Sequence, residues 1–126
     1  MNRARAIILV VEDEVSLRDI LQEELGREGY KVVVARDGAE GLVKLQDVEP
    51  DVIICDRAMP GMTGYELLER IRGIYPQYRK VPFIFLTALT DARDKLAAQE
   101  LRPFAYLEKP LDFNILLRTI ERALIR

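Results

Sequence analysis

The chain has 126 residues, 49% apolar and 32% charged, a composition that makes one globular domain around one hydrophobic core. Its 19 basic and 21 acidic residues leave a net charge of −2, which gives no electrostatic footprint for nucleic acid or an anionic membrane, and no apolar run is long enough to span a bilayer. Histidine is absent, which excludes His-based acid–base catalysis, a Ser-His triad and His-ligated metal, and the single Cys55 excludes an internal disulfide.

Met1 to Arg5 look faintly like a signal n-region, but the run behind them, Ala6 to Val11, is too short for an h-region and ends in Glu12-Asp13-Glu14. That run reads as a buried strand, and the protein as cytoplasmic. Val15 to Glu28 follows as a helix with Leu17, Ile20, Leu21 and Leu25 on one face and Gly29 as its C-terminal cap. Val32 to Ala35 is a second strand. Asp37 and Glu40 then open a helix that Leu42, Val43 and Leu45 carry until Pro50. Val52 to Cys55 is a third strand with no polar face, stopping at Asp56 before the turn signal Pro60-Gly61.

Thr63-Gly64-Tyr65-Glu66 is a capping box for a helix with Leu67, Leu68, Ile71 and Ile74, and Pro76 and Pro82 bracket a polar loop. Phe83 to Leu86 is a fourth strand, ending at Thr87. Asp91 to Leu101 predicts a weaker helix. Phe104 to Leu107 is a short fifth strand ending in Glu108-Lys109-Pro110, and Asp112 caps a last helix with Phe113, Leu116, Leu117, Ile120 and Leu124 at helical spacing. Five strands alternating with five helices predict an α/β fold, a mostly parallel, doubly wound sheet with helices on both faces.

Such a sheet points every strand's carboxyl end to one edge, where open α/β sheets bind ligands. Glu12 and Asp13, Asp56, Thr87 and Lys109 then share a rim. Singly, each has an ordinary role: a helix-dipole partner, a turn cap, a loop hydroxyl, a solvated lysine. Jointly they make chemistry. Three clustered carboxylates resist ionising together, and a hard divalent cation removes that penalty; oxygen ligands without histidine favour Mg²⁺. An aspartate beside a metal can attack phosphorus, and a lysine and a hydroxyl can neutralise the equatorial oxygens.

The residues Val10-Val11-Glu12-Asp13-Glu14, Ile53-Ile54-Cys55-Asp56, Met59-Pro60-Gly61-Met62-Thr63-Gly64-Tyr65-Glu66-Leu67-Leu68, Leu86-Thr87-Ala88 and Tyr106-Leu107-Glu108-Lys109-Pro110 resemble the receiver domain of two-component response regulators, over essentially the whole chain. The resemblance implies a (βα)5 flavodoxin-like, chemotaxis-regulator-like sandwich with a parallel sheet of order 2-1-3-4-5. It implies that Asp56 accepts a phosphoryl group from a histidine of a partner kinase or phosphotransfer protein. Glu12, Asp13, Asp56 and the Ala58 carbonyl would hold Mg²⁺, with Glu12 acting mostly through metal-bound water. Thr87, Ala88 and Lys109 would contact the phosphoryl group. Thr87 and Tyr106 would form the switch, remodelling the face of the fourth helix, fifth strand and last helix, where a downstream partner, an effector domain or a second copy docks. Neither nucleic acid nor membrane is implied as a direct partner, and any activity is limited to self-phosphorylation and self-dephosphorylation.

Some positions depart from that pattern. Glu12 stands where aspartate is more frequent. Ala58 and Leu89, two residues after Asp56 and Thr87, cannot orient a water, which predicts slow loss of the phosphoryl group. Arg102-Pro103 replaces the usual Gly-Ala before the fifth strand, and Arg57 adds a cation beside Asp56. Two competing readings share features with this one. A phosphohydrolase of the haloacid dehalogenase type needs a second aspartate where Ala58 stands. A pure binding module would keep the fold without phosphorylation. Met1 reads as the natural start, and the chain reads equally as a stand-alone regulator or as a receiver cut from a longer protein.

Overall fold

Three apolar runs become strands with almost nothing exposed, as a sheet covered on both faces requires. In the computed structural model, which describes residues 6–88, 96 and 100–125, the order is β1 (Ile7–Val11), α1 (Val15–Arg27), β2 (Lys31–Ala35), α2 (Gly38–Lys44), β3 (Val52–Asp56), α3 (Gly64–Ile74), β4 (Phe83–Thr87), β5 (Ala105–Glu108) and α4 (Phe113–Leu124). The predicted helix from Asp91 to Leu101 lies outside the described residues except at Leu96, Glu100 and Leu101, and Leu89 lies outside them too. All strand pairs are parallel and the sheet runs β2-β1-β3-β4-β5. Partly exposed residues concentrate on the two edge strands, β2 and β5, with Ile7 at the start of β1 the one other.

Alternation along the strands splits the core in two. Ile8, Val10, Ile54, Ile84 and Leu86 face Leu21 and Leu25 of α1 and Leu116 and Ile120 of α4. Leu9, Val11, Ile53, Cys55, Phe83 and Phe85 face Leu67, Leu68 and Ile71 of α3. Each fully buried leucine or isoleucine contributes roughly 1.5–3 kcal/mol by leaving water.

The helix starts follow the sequence. Asp37 accepts from the Glu40 N–H at 2.9 Å, Thr63 and Glu66 close a reciprocal capping box, and the Asp112 carboxylate accepts from Asn114 and Ile115 N–H groups. Gly29 takes φ +97° just past α1, the left-handed conformation that ends many helices. Several expectations need correction. Ile20, Val43 and Ile74 sit at helical spacing but are more than half exposed, because the stripe each helix buries is narrower than its apolar count suggests. α2 ends at Lys44, well before Pro50. The loop after Pro76 holds one 3₁₀ turn, Pro76–Tyr78, that buries Tyr78.

Candidate functional site

Parallel register sets the rim. Val11 pairs with Cys55 and Asp56 with Leu86, so Glu12 and Asp56 leave β1 and β3 at one level, while Thr87 stands opposite Glu108 at the ends of β4 and β5. Lys109 follows β5 directly and its N–H donates to the Thr87 carbonyl at 2.7 Å. The five predicted strand-end residues thus share one edge.

Lys109 Nζ donates to Asp56 Oδ2 at 3.0 Å and to Glu12 Oε1 at 3.5 Å. Asp56 is 6% exposed and Glu12 is fully buried, while Asp13 is exposed at the mouth. One carboxylate oxygen from each of Glu12, Asp13 and Asp56 lies within 4.8 Å of the others. The Ala58 N–H donates to Asp56 Oδ1 at 3.2 Å, a local turn that fixes the carboxylate's plane. Glu12 Oε2 accepts from the Glu14 N–H at 3.0 Å, and its carbonyl from Arg18. Glu14 is the N-cap of the first helix and makes no side-chain cap hydrogen bond, so Glu12 holds the N-cap residue's N–H rather than a helical one.

Burial pushes the Glu12 carboxyl up to about 7; the Glu14 N–H pulls it down and the Asp56 charge raises it again. Burial alone would lower the Lys109 ammonium, but its hydrogen bond to Asp56 and the charges of Asp56 and Glu12 outweigh this and raise it. A buried carboxyl held above its ordinary range beside two others, with one ammonium to offset them, suits a divalent oxygen-ligated cation such as Mg²⁺.

Thr87 is buried and Ala88 exposed at the same rim, and Tyr106 is half-buried on β5 opposite Phe85. Ala58 is exposed, with a methyl group where a polar side chain could hold water. The Cys55 thiol is fully buried and pushed well above its ordinary range by burial, which makes it inert. Arg57 is half-buried, its guanidinium 5.9 Å from the centre of the Tyr65 ring. Sequence reasoning passed over the role of Gly64. Its N–H donates to the Arg57 carbonyl at 2.8 Å, and α3 passes so close that a Cβ there would lie 2.6 Å from the Asp56 carbonyl oxygen. The Thr-Gly step after Pro60-Gly61 was the signal available for it.

A five-stranded parallel sheet of this order, with three carboxylates and a lysine at its carboxyl edge, defines the class of doubly wound α/β domains that bind ligands outside the strands' carboxyl ends. Residues 8–121 match the family model described as response regulator receiver domain, and the chain belongs to that family of two-component signalling proteins. Chemotaxis response regulator CheY4 of Vibrio cholerae is 37% identical and superposes with a TM-score of 0.86 over 94% of this chain and 98% of that one. The probable transcriptional regulator ycf27 of Cyanophora paradoxa is 40% identical over 103 residues, 82% of this chain and 41% of that protein. DNA-binding transcriptional regulator NtrC of Escherichia coli K12 is 36% identical over 120 residues, 95% of this chain and 25% of its own length. The chain thus spans a quarter to two-fifths of those curated relatives. No helix among the described residues is long and apolar enough to cross a membrane.

Proposed function

We propose that Asp56 is the phospho-acceptor. A carboxylate oxygen of Asp56 attacks the phosphorus of a phosphohistidine on a partner kinase or His-phosphotransfer protein. The new P–O bond forms as the P–N bond breaks, and the electron pair leaves with the imidazole, which takes up a proton. The observation that carries this reading is the Lys109 ammonium 3.0 Å from a nearly buried Asp56, with Glu12 and Asp13 completing the acidic cluster. Glu12, Asp13, Asp56 and the Ala58 carbonyl would hold Mg²⁺, which supplies positive charge against the transferring group's oxygens. Lys109 neutralises one further oxygen; the Thr87 hydroxyl and the Ala88 N–H donate to the others.

Movement of Thr87 towards the phosphoryl group, with Tyr106 turning inward, would reshape the face of β5, α4 and the segment before β5. A downstream partner, an effector domain or a second copy would read that face. The domain acts as a cytoplasmic signalling acceptor without direct contact to nucleic acid or membrane. Self-phosphorylation and self-dephosphorylation are the limit of its own catalysis.

The test is intact mass after incubation with Mg²⁺ and acetyl phosphate. One phosphoryl group on the wild type, absent in Asp56→Asn and blocked by chelator, is expected. A folded, Mg²⁺-replete protein that takes none, and whose amide spectrum ignores beryllofluoride, is a binding module instead.

A further inference from the structure

At the opposite end of the sheet, the amino ends of β4 and β5, lies a cleft of roughly 1010 Å³, near the upper end of the about 300–1,000 Å³ usual for small-molecule sites. Arg72, Arg79, Lys80 and Arg102 line it, with Pro103 and Phe104 among its apolar walls. Among the described residues no carboxylate lines it and none pairs with any of the four cations. In a chain of net charge −2, that is a local concentration of one sign that no described acid offsets.

Two of the four cations are held in place by hydrogen bonds. The Arg72 guanidinium donates to the carbonyls of Leu101 and Arg102, which ties α3 to the approach to β5. Arg79 Nε donates to the Arg72 carbonyl at 3.1 Å, and its terminal nitrogens have no partner among the described residues. Arg102 has φ +52°, a left-handed conformation that glycine enters freely and arginine does not. An arginine kept in a strained turn at the lip of a basic cleft is the kind of outlier that accompanies binding sites.

We propose that this cleft binds a nucleotide-class anion. Its phosphates would lie against Arg79, Lys80 and Arg102, where guanidinium groups give paired, charge-assisted hydrogen bonds. Its flat ring would pack on Pro103 and Phe104. The site is independent of phosphoryl transfer at Asp56.

Amide spectra of the full chain, titrated with ADP in 150 mM salt and EDTA, test this. EDTA keeps any metal from linking ADP to the acidic edge. Saturable shifts confined to residues 79–83 and 102–104 are expected, with a Kd below about 1 mM. ADP should bind at least about tenfold tighter than either adenosine or pyrophosphate, since charge and ring act together. The triple variant Arg79→Gln, Lys80→Gln, Arg102→Gly should keep its melting temperature and weaken ADP by about tenfold or more. Asp56→Asn should bind ADP like the wild type. Absence of saturation, pyrophosphate binding as tightly as ADP, or an unaffected triple variant overturns the proposal. So does tighter binding of a glutamate-rich peptide, which would make the cleft a protein-docking surface.

Discussion

Replacing Gly64 by alanine should destabilise the domain, although the same change on an open helix stabilises. Gly64 opens α3, and its φ lies outside the left-handed region, so conformational freedom is not what it supplies. What it supplies is room. An added Cβ would lie 2.6 Å from the Asp56 carbonyl oxygen, 3.0 Å from Arg57 Cα and 3.0 Å from Phe85 Cε1. Two of these are backbone atoms of the strand end that aims Asp56, so relief requires moving α3 or β3. Overpacking against three atoms at once belongs near the top of the usual range, about 3 kcal/mol. Alanine's better helix propensity returns about 1 kcal/mol at most. The net is about 2 kcal/mol lost, or a melting temperature roughly 8 °C lower for a chain of this size. Gly73, in the same helix, has nothing within 4 Å of an added Cβ, so Gly73→Ala should instead gain about 0.5–1 kcal/mol. Urea unfolding of the three proteins separates these effects, and phosphoryl uptake from acetyl phosphate should slow only in Gly64→Ala. A Gly64→Ala protein as stable as Gly73→Ala would refute the close-approach argument.

Three further outcomes follow from the acidic edge. Glu12 is pushed up to about 7, so in metal-free protein the unfolded chain gives up this proton first, and the Glu12 contribution to stability falls as pH rises from its ordinary value towards 7. Glu12→Gln should therefore be increasingly more stable than wild type across that window in EDTA, with a flat difference in urea midpoints counting against it. Lys109→Met removes the ammonium between Asp56 and Glu12; Mg²⁺ should bind tighter by amide titration, while phosphoryl uptake at Asp56 drops by roughly 100-fold. Ala58→Asn places a polar group at the mouth and should speed decay of the phosphorylated form severalfold, read by intact mass over time; an unchanged rate would remove Ala58 from that role.

What the sequence made legible is what short-range chemistry dictates. Uninterrupted apolar runs at Ala6–Val11, Val52–Cys55 and Phe83–Leu86 announce central strands, and Asp37, Thr63 and Asp112 announce helix starts because their side chains satisfy local N–H groups. The rim followed, since parallel strands put Glu12, Asp56, Thr87 and Lys109 at one edge without further information. The rest depends on neighbours far along the chain. Ile20, Val43 and Ile74 look like core positions until the helices are seated. Asp13 and Glu12 are adjacent acids, and only the fold decides that Glu12 is buried while Asp13 stays at the mouth. The basic cleft joins residues from three separate stretches, and Arg102 shows in sequence only as a missing glycine.

The reach of Lys109 back to Asp56, 53 residues earlier in the chain, has a consequence for the protein's birth. During synthesis β1, β3 and β4 can pair before β5 has been made, because β5 joins at the sheet's outer edge. At that stage the acidic cluster lacks its ammonium. A nascent or truncated chain would therefore display Asp56 and Glu12 without the ammonium that offsets them. The complete charge balance of the acidic edge arrives with the last strand, so the pairing of Lys109 with Asp56 and Glu12 reports that the sheet has closed its outer edge.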